Sequence, residues 1–271
     1  MTFEHIIMTR FNLATPGKEA AIRNQAGWLE RRFALFERYC LPTVAAQDCR
    51  DFRWLVYFDE DTPAQFRERI EADRRIHPFT PYFTGLFPSE GWRNSVAGLL
   101  GAERPEMVLT TVLDNDDGLA VDFVSRLHAQ VREHHARQPC AFNFTNGYVL
   151  NGRRLFAHAH LSNAFANVLE RYDGDIRTAS AIRHMDLARH LTVIQVPGPG
   201  AWLQVVHGEN VSNKTRGRRV GRKAAEQRFP AAVMSEVIDP ARSERIAEAL
   251  VAGPIRSGRD LLIKAIRSVG A

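Results

Sequence analysis

The first 117 residues alternate between short apolar runs and amphipathic helical patterns, and no other feature constrains the fold as strongly. Aromatic and β-branched residues dominate several of the apolar runs, and these residue types favour strands. In chain order the pattern predicts strands at 5–9, 52–58, 77–84 and 107–113, and helices from Thr15 to Pro42, from Thr62 to Arg75 and at 95–101. Strands that alternate with helices predict a mostly parallel sheet covered by helices. The sequence therefore predicts an α/β fold.

Polar clusters follow three of these strands at the point where each strand ends. They are Arg10–Asn12, Asp59–Asp61 and Asp114–Asp117. In open parallel sheets, ligands bind beyond the carboxyl ends of the strands. We therefore expect the three loops to line one crevice at that edge of the sheet.

The second half of the chain has a different pattern. Asn151-Gly152 is a strong turn signal and predicts a hairpin between 141–151 and 153–157. The remaining pattern predicts a helix at 162–172, strands at 191–196 and 201–206, a basic loop at 214–223 and helical structure from Ala224 onward. No internal repeat or linker divides the sequence. We expect one α/β domain at 1–223 and a helical C-terminal extension at 224–271 packed on it.

The acidic loop after the strand at 107–113 carries the clearest chemical signal. Asp114 and Asp116 are two positions apart at the end of a strand, so their carboxylates are expected to point to the same side. Oxygen ligands in this arrangement suit Mg²⁺ or Mn²⁺. A solvated acidic turn or a helix cap is the alternative interpretation. The apolar strand before the loop and the helical pattern at 121–132 after it favour a metal site.

Four segments occur in an order that is typical of one enzyme class. They are Thr9-Arg10-Phe11-Asn12, the strand ending at Asp59, the stretch from Trp92-Arg93-Asn94-Ser95 through Gly101-Ala102-Glu103 to Asp117, and Arg189–His207. Together they resemble GT-A-fold glycosyltransferases close to the family-2 enzymes. The opening His-Ile-Ile-Met-Thr-Arg-Phe-Asn most resembles the putative rhamnosyltransferase family. The resemblance covers roughly residues 5–212 and implies a GT-A-like sheet and a nucleotide-sugar donor.

The resemblance also implies residue roles at a donor site. Asp114, Asp116 and His207 would hold a divalent cation, Mn²⁺ or Mg²⁺, that bridges the donor diphosphate. Such a cation neutralises charge on the leaving nucleotide. Asp59 would accept hydrogen bonds from the base of the donor. Arg10 and Asn12 would flank the base and the ribose. Arg93, with its neighbour Asn94, would contact a phosphate or an acidic group.

The catalytic base is where this sequence departs from the family pattern. Family-2 enzymes carry a Glu-Asp pair ahead of a helix, whereas this chain reads Arg183-His184-Met185-Asp186-Leu187. His184 takes the place of the usual aspartate, and Asp186 lies two residues later. Either side chain could deprotonate an acceptor hydroxyl. We expect Asp186 to be the base because it is a carboxylate, with His184 as the alternative and Glu209 or Asp175 next.

The overall charge is basic, and one segment concentrates it. The net charge is +5 and the pI is about 9.4, which suits an anionic ligand or surface. Six of the ten residues in 214–223 are basic. They could form a solvated loop, close over the diphosphate or contact an anionic membrane. The run has no interleaved aromatic residues, so nucleic acid is not an expected partner.

Other features concern the compartment. The apolar runs are much shorter than the roughly 18 residues that a membrane helix requires. Glu4 and His5 interrupt the stretch that a signal peptide would need to be apolar. The three cysteines, Cys40, Cys49 and Cys140, are widely spaced and are expected to be free thiols. These features predict a cytoplasmic protein, with peripheral contact at the inner membrane face if 214–223 binds lipid.

The sequence therefore predicts a metal-dependent glycosyltransferase that moves a sugar, with rhamnose as the candidate, from a nucleotide-diphosphate sugar to a glycan or lipid-linked acceptor. One alternative is a nucleotidyltransferase of similar fold. Those enzymes usually carry a glycine- and basic-rich signature after the first strand, where this chain reads Arg10-Phe11-Asn12-Leu13. The other alternative is a non-catalytic basic scaffold that binds acidic polymers through 214–223, which leaves the acidic loop unexplained.

Overall fold

The computed structural model describes residues 2–14, 23, 25–85, 91–173, 176–208, 215–252 and 255. The strands in these ranges are β1 (Phe3–Arg10), β2 (Arg53–Asp59), β3 (Thr80–Thr84), β4 (Met107–Val112), β5 (Gly118–Leu119), β6 (Cys140–Phe144), β7 (Asn146–Asn151), β8 (Arg154–Ala159), β9 (Asn167–Arg171), β10 (Thr192–Val196), β11 (Trp202–Val206) and β12 (Arg218–Val220). The helices are α1 (Trp28–Leu35), α2 (Leu41–Ala45), α3 (Ala64–Ile76), α4 (Gly91–Leu100), α5 (Phe123–His134), α6 (Leu187–His190), α7 (Ala231–Met234) and α8 (Arg242–Ala247).

The larger sheet has seven strands in the order β10-β6-β9-β4-β1-β2-β3. Strands β4, β1, β2 and β3 run parallel to one another, as do β10 and β6. Strand β9 is antiparallel to both of its neighbours, β4 and β6. Four of the six neighbouring pairs are therefore parallel.

Helices cover both faces of this sheet because alternate residues of the central strand β1 point in opposite directions. Ile7 belongs to a cluster that includes Phe33 of α1 and Val124 of α5. Met8, one residue later, belongs to a second cluster that includes Val96 of α4. The predicted α/β fold, a mostly parallel sheet flanked by helices, is confirmed.

The smaller sheet has five strands in the order β12-β8-β7-β11-β5. The hairpin predicted at Asn151-Gly152 joins β7 to β8, and Gly152 has a φ of 55°, a conformation that glycine adopts without strain. Strand β5 directly follows the acidic loop, and its Gly118 and Leu119 pair with Leu203 and Trp202 of β11. This pairing attaches the acidic loop to the second sheet.

The helix predicted at 162–172 is wrong, because the segment contains strand β9. This strand lies between β4 and β6, and its residues 167–170 are buried. A strand covered on both faces lacks the apolar–polar alternation that identifies a half-exposed strand, so its sequence can resemble a helix. The Asn163 side chain donates to the carbonyl of Phe144 (2.8 Å) and accepts from the N–H of Phe165 (3.1 Å). Asn163 thus stabilises the extended backbone ahead of β9.

Two predicted helix boundaries also differ. The first helix does not end at Pro42, because α1 continues through a π-helical turn, Phe36–Cys40, into α2. Pro42 lies in the first turn of α2, where the missing N–H of proline costs little. The second helix begins at Ala64 rather than Thr62. The Thr62 hydroxyl instead donates to the carbonyl of Asp59 (2.6 Å).

The predicted C-terminal helical extension is not confirmed. After a 3₁₀ turn at Arg222–Ala224, the described chain forms only the short helices α7 and α8 and a π-helical turn at Glu248–Ala252. Phe229, Val233 and Met234 pack in one cluster with Leu203 and Val205 of the second sheet. The segment after Ala224 therefore covers that sheet, and the domain boundary at 223/224 stays a prediction.

The basic segment 214–223 is only partly a solvated loop. Lys214 lies outside the described residues, and β12 occupies Arg218–Val220. Arg219 is buried, and its guanidinium donates to the backbone carbonyls of Leu155 (3.2 Å) and Ile238 (2.8 Å). The expectation of a solvated loop is wrong at Arg219, which is a structural residue.

Two further observations concern the cysteines and the membrane. Cys40, Cys49 and Cys140 are free thiols, as the sequence predicts. In the described part of the chain, no helix has the length and hydropathy needed to cross a bilayer.

Candidate active site

The three polar loops meet at the carboxyl edge of the parallel strands. Asn12, after β1, accepts a hydrogen bond from the N–H of Asp59 at the end of β2 (3.1 Å) and donates to the Thr62 hydroxyl (3.1 Å). Asn115, after β4, donates to the carbonyl of Phe11 (2.9 Å). These hydrogen bonds join the loops after β1, β2 and β4 into one polar surface, because neighbouring parallel strands end at the same edge.

The acidic loop brings three carboxylates together. Oxygens of Asp114, Asp116 and Asp117 all lie within 4.8 Å of one another. Burial raises the pKa of Asp117 well above its ordinary value, and the charges of Asp116 and Asp114 raise it further. Burial and the charge of Asp116 also raise the pKa of Asp114. A positive charge among these groups would relieve their repulsion.

Asp117 was not among the residues that the sequence singled out, and it has a structural contact of its own. Its Oδ1 accepts the N–H of Val205 in β11 at 2.8 Å. This bond and the pairing of β5 with β11 hold the acidic loop against the second sheet. Because β11 ends at Val206, the next residue, His207, is brought to the acidic loop.

Asp116 lies at the centre of the cluster. Its Oδ2 is 2.7 Å from His207 Nε2 and accepts a hydrogen bond from Arg32 Nη1 at 2.9 Å. Burial tends to raise the pKa of Asp116, but the hydrogen bond with His207 and the charge of Arg32 outweigh it and lower the pKa below its ordinary value. The Asp116 side chain is 7% exposed, and that of His207 is 17% exposed. The fold thus brings Asp116 into contact with His207, which lies 91 positions later in the sequence.

The donor atoms of this cluster fit a divalent cation. Carboxylate oxygens at the end of a strand, together with an imidazole nitrogen, are a ligand set suited to Mn²⁺ and acceptable to Mg²⁺. Asp114, Asp116 and Asp117 could supply the oxygens, and His207 could supply the nitrogen. One oxygen of Asp117 accepts a backbone hydrogen bond, which leaves its other oxygen for a cation.

The residues expected to contact the donor lie around the same edge. Asp59 is buried and forms an ion pair with Arg23, a residue of the segment between β1 and α1. Arg10 is exposed at the end of β1, and its charge lowers the pKa of Asp114 against the effect of burial. Arg93 is half-buried and Asn94 is exposed, both on α4.

Helix α4 is held against the larger sheet next to β2. The hydroxyls of Ser95 and Tyr57 are 2.8 Å apart, and Tyr57 belongs to β2. The Trp92 ring packs edge-on against Tyr57, with ring centroids 4.9 Å apart. Arg93 and Asn94 therefore lie on a helix that is fixed to the strand ending at Asp59.

The two candidate bases differ in their contacts. Asp186 accepts hydrogen bonds from Arg183 Nε (2.8 Å) and Arg189 Nη1 (2.7 Å), one at each carboxylate oxygen. His184 Nδ1 is 2.9 Å from the carbonyl oxygen of Ser162. A carbonyl only accepts, so Nδ1 carries the proton and a neutral His184 has its lone pair on Nε2. Glu209 and Asp175 lie outside the described residues.

Asp186, two residues after His184, lines a cavity. The His184 charge acts on the pKa of Asp114, which places the two side chains within electrostatic reach. The cavity has a volume of about 350 Å³ and is lined by Arg177, Ala181, Ile182, Arg183, Asp186 and His190. The lining contains two arginines and a histidine but only one carboxylate, so the cavity suits a polar or anionic group.

A family comparison shows which family the chain belongs to. The family model described as "Putative rhamnosyl transferase" matches residues 4–219, which is 216 of the 271 residues. The chain belongs to this family. The description of this family favours sugar transfer over the nucleotidyltransferase and scaffold alternatives. Among curated proteins, no sequence matches this member of the rhamnosyl transferase family.

The chain is also similar to solved structures. S. aureus TarS 1-349 in complex with UDP is 15% identical, with a TM-score of 0.43 over 76% of this chain and 61% of that chain. A putative nucleotide-diphospho-sugar transferase from Desulfovibrio desulfuricans G20 is 11% identical, with a TM-score of 0.40 over 76% of this chain and 83% of that one. This rhamnosyl transferase family member thus spans less than two thirds of TarS 1-349. The scores are too low to support an inference about activity.

Three residues at the site of this family member escaped the sequence analysis. Arg23 pairs with Asp59, Arg32 pairs with Asp116, and the Trp28 ring lies 5.3 Å from the Arg32 guanidinium carbon. All three belong to the segment after β1, which reads in sequence only as an amphipathic helix. The one available signal is that Arg32 follows Trp28 by four residues, which puts both on one helical face.

Proposed function

We propose that this glycosyltransferase transfers a sugar from a nucleotide-diphosphate donor and depends on a divalent cation held by Asp114, Asp116 and His207. Two observations support the proposal: oxygens of Asp114, Asp116 and Asp117 lie within 4.8 Å of one another, and His207 Nε2 lies 2.7 Å from Asp116 Oδ2. When bound, the cation would supply positive charge to the diphosphate leaving group.

The loops after β1 and β2 are proposed to hold the nucleoside of the donor. Asp59 is suited to accept hydrogen bonds from the base, and Asn12 fixes Asp59 through the hydrogen bond to its backbone N–H (3.1 Å). Exposed Arg10 is available to the ribose or a phosphate. Arg93 and Asn94 on α4 are proposed to contact the phosphate end of the donor.

His184 is the better candidate for the base that accepts the proton of the acceptor hydroxyl. Its Nδ1 donates to Ser162, so the ring is oriented and Nε2 is left to take a proton. Asp186 would first have to exchange its hydrogen bonds with Arg183 and Arg189. We therefore reverse the preference of the sequence analysis and keep Asp186 as the alternative.

The sugar and the acceptor are proposed from the family and from charge. Rhamnose is the proposed sugar because the matching family is described by that activity. A glycan or a lipid-linked glycan is the proposed acceptor. Exposed Arg216, Arg218, Arg222 and Lys223 support peripheral contact with an anionic membrane, each basic residue adding about 1 kcal/mol near such a surface. Such contact is consistent with a cytoplasmic enzyme at the inner membrane face.

A nucleotide-binding experiment tests the proposal. We expect UDP, dTDP or GDP to raise the melting temperature of the wild type in the presence of Mn²⁺ and to do so much less with EDTA. At a ligand concentration one hundred times Kd, binding stabilises the native state by about 2.7 kcal/mol. Asp116→Ala should abolish the Mn²⁺-dependent part of this shift.

The matched control is Asp51→Ala, which removes an exposed carboxylate two residues before β2, at the opposite end of that strand from Asp59. It should retain the full Mn²⁺-dependent shift. A wild type whose melting temperature responds to none of the three nucleotides with Mn²⁺, or an Asp116→Ala variant that responds as the wild type does, would refute the proposed metal-dependent donor site.

A further inference from the structure

Arg32 occupies a position at the acidic cluster that neither the family nor the predicted site residues account for. Its Nη1 lies 2.9 Å from Asp116 Oδ2 and 3.4 Å from Asn115 Oδ1. The Arg32 side chain is 13% exposed, and its guanidinium carbon lies 5.3 Å from the Trp28 ring centroid. Helix α1 therefore supplies a nearly buried cation to the oxygen that His207 also contacts.

This ion pair competes with the proposed cation. Asp116 Oδ2 already has two partners, His207 Nε2 and Arg32 Nη1. A divalent cation bound to the same oxygen would lie within a few ångströms of a guanidinium, which is always charged. In a buried site such repulsion is weakly screened. Arg32 and the cation therefore compete for Asp116 Oδ2.

Arg32 also has hydrogen-bonding capacity to spare. In the described part of the chain its buried Nε has no acceptor, and neither does the buried Nε1 of Trp28. A buried donor without a partner is unfavourable, and a ligand that supplies an acceptor removes that cost. Arginine presents its donors in a planar fork that matches two oxygens of a phosphate. A diphosphate oxygen is the acceptor chemistry that fits.

We propose that Arg32 is an exchanging cation of the donor site. Without donor, its guanidinium neutralises Asp116; with a nucleotide-diphosphate donor and its divalent cation bound, the guanidinium would leave Asp116 Oδ2 and bind a diphosphate oxygen. Trp28 stays beside the guanidinium and limits its movement. This inference rests on the proposed function, since it assigns Arg32 to the same donor site.

The proposal predicts effects of opposite sign from one substitution. Arg32→Gln removes the competing charge, so the protein without nucleotide should bind Mn²⁺ about tenfold more tightly. The same substitution removes a charged phosphate contact, so Mn²⁺-UDP and Mn²⁺-pyrophosphate should each bind about tenfold or more weakly. Electron paramagnetic resonance of free Mn²⁺ measures the first affinity, and isothermal titration calorimetry measures the second.

Arg31→Gln is the matched control, because Arg31 is the exposed neighbour on the same helix and donates to the carbonyl of Ala26 (3.1 Å). It should leave both affinities within about twofold of the wild type. Arg32→Lys keeps a cation on a flexible stem but loses the fork. It should retain the wild-type Mn²⁺ affinity and lose diphosphate affinity, and it serves as the second variant if Arg32→Gln does not fold.

The outcomes separate this inference from the proposed function. A wild type that binds neither Mn²⁺ nor Mn²⁺-UDP refutes both. A wild type that binds both, with Arg32→Gln unchanged in either affinity or weakened in both, refutes only the exchange role of Arg32. Tighter Mn²⁺ binding with weaker diphosphate binding in Arg32→Gln supports it.

Discussion

A buried chain of hydrogen bonds makes the stability of this protein depend on pH. His5 Nε2 lies 2.9 Å from the Thr111 hydroxyl, which donates to Asn167 Oδ1 at 2.7 Å. Since Thr111 gives its proton to Asn167, it must accept from His5 Nε2. His5 Nδ1 is then the acceptor for His128 Nε2 at 3.0 Å, and His128 Nδ1 faces Cys49 Sγ at 3.8 Å. With both histidines neutral, each ring nitrogen in this chain of contacts faces a complementary partner.

The sign and size of the pH effect follow from this arrangement. Burial and the nearby His128 lower the pKa of His5 well below its ordinary value. Burial also lowers the pKa of His128, with Asp51 opposing the shift and Arg132 adding to it. The unfolded chain therefore binds more protons below about pH 6.5, and stability falls as the pH falls. Between pH 7.5 and pH 5, each histidine that stays neutral in the folded state lowers the free energy of unfolding by about 2 kcal/mol. The pair therefore lowers it by roughly 2 to 4 kcal/mol.

Urea unfolding at a series of pH values measures this effect. The double variant His5→Phe/His128→Leu removes both titrating groups, so its stability should change by roughly 2 to 4 kcal/mol less than that of the wild type between pH 7.5 and pH 5. The control His135→Gln, at an exposed histidine, should keep the wild-type dependence. A double variant with the same pH dependence as the wild type would refute the neutral histidine pair.

Further predictions concern a buried acid and the catalytic base. Burial, together with the charge of Glu37, raises the pKa of Asp73 to about 7. The stability of the protein should therefore fall as the pH rises from about 4 to 7. In urea unfolding, Asp73→Asn should stabilise the protein by roughly 2 to 4 kcal/mol at pH 8 and by little at pH 4. If Asp73→Asn does not have a larger free energy of unfolding than the wild type at pH 8, the raised pKa of Asp73 is refuted. His184→Gln should lower turnover about a hundredfold or more while donor affinity barely changes, whereas Asp186→Asn should retain most of the turnover; the reverse result in a sugar-transfer assay would make Asp186 the base.

The edge of the sheet could be predicted from the sequence because it depends on local patterns. Apolar runs that end in Asn12, Asp59 and Asp114 identify strands by composition, and parallel strands carry their following loops to one edge. The position of His207 beside Asp116 came from the family resemblance, and in the structure it depends on β11 pairing with β5 next to the acidic loop.

The remaining features depend on contacts between distant segments, which one sequence does not display. Strand β9 resembles a helix because both of its faces are buried, and only its place between β4 and β6 explains its pattern. In the sequence Arg219 is one of six basic residues in 214–223. In the structure it is buried and donates to the backbone carbonyls of Leu155 and Ile238. Arg32 reads as one arginine of a helix, and its pairing with Asp116 spans 84 residues.

The central claim is that Asp114, Asp116 and His207 form a divalent-cation site for a nucleotide-diphosphate donor. Anomalous diffraction at the manganese edge, from crystals soaked in MnCl₂ and UDP, tests it most directly. The account predicts one strong peak at about 2.1 to 2.3 Å from a carboxylate oxygen of Asp116 and from His207 Nε2, with the diphosphate on its open side. A diphosphate bound at this edge without a manganese peak, or a peak elsewhere on the protein, would contradict it.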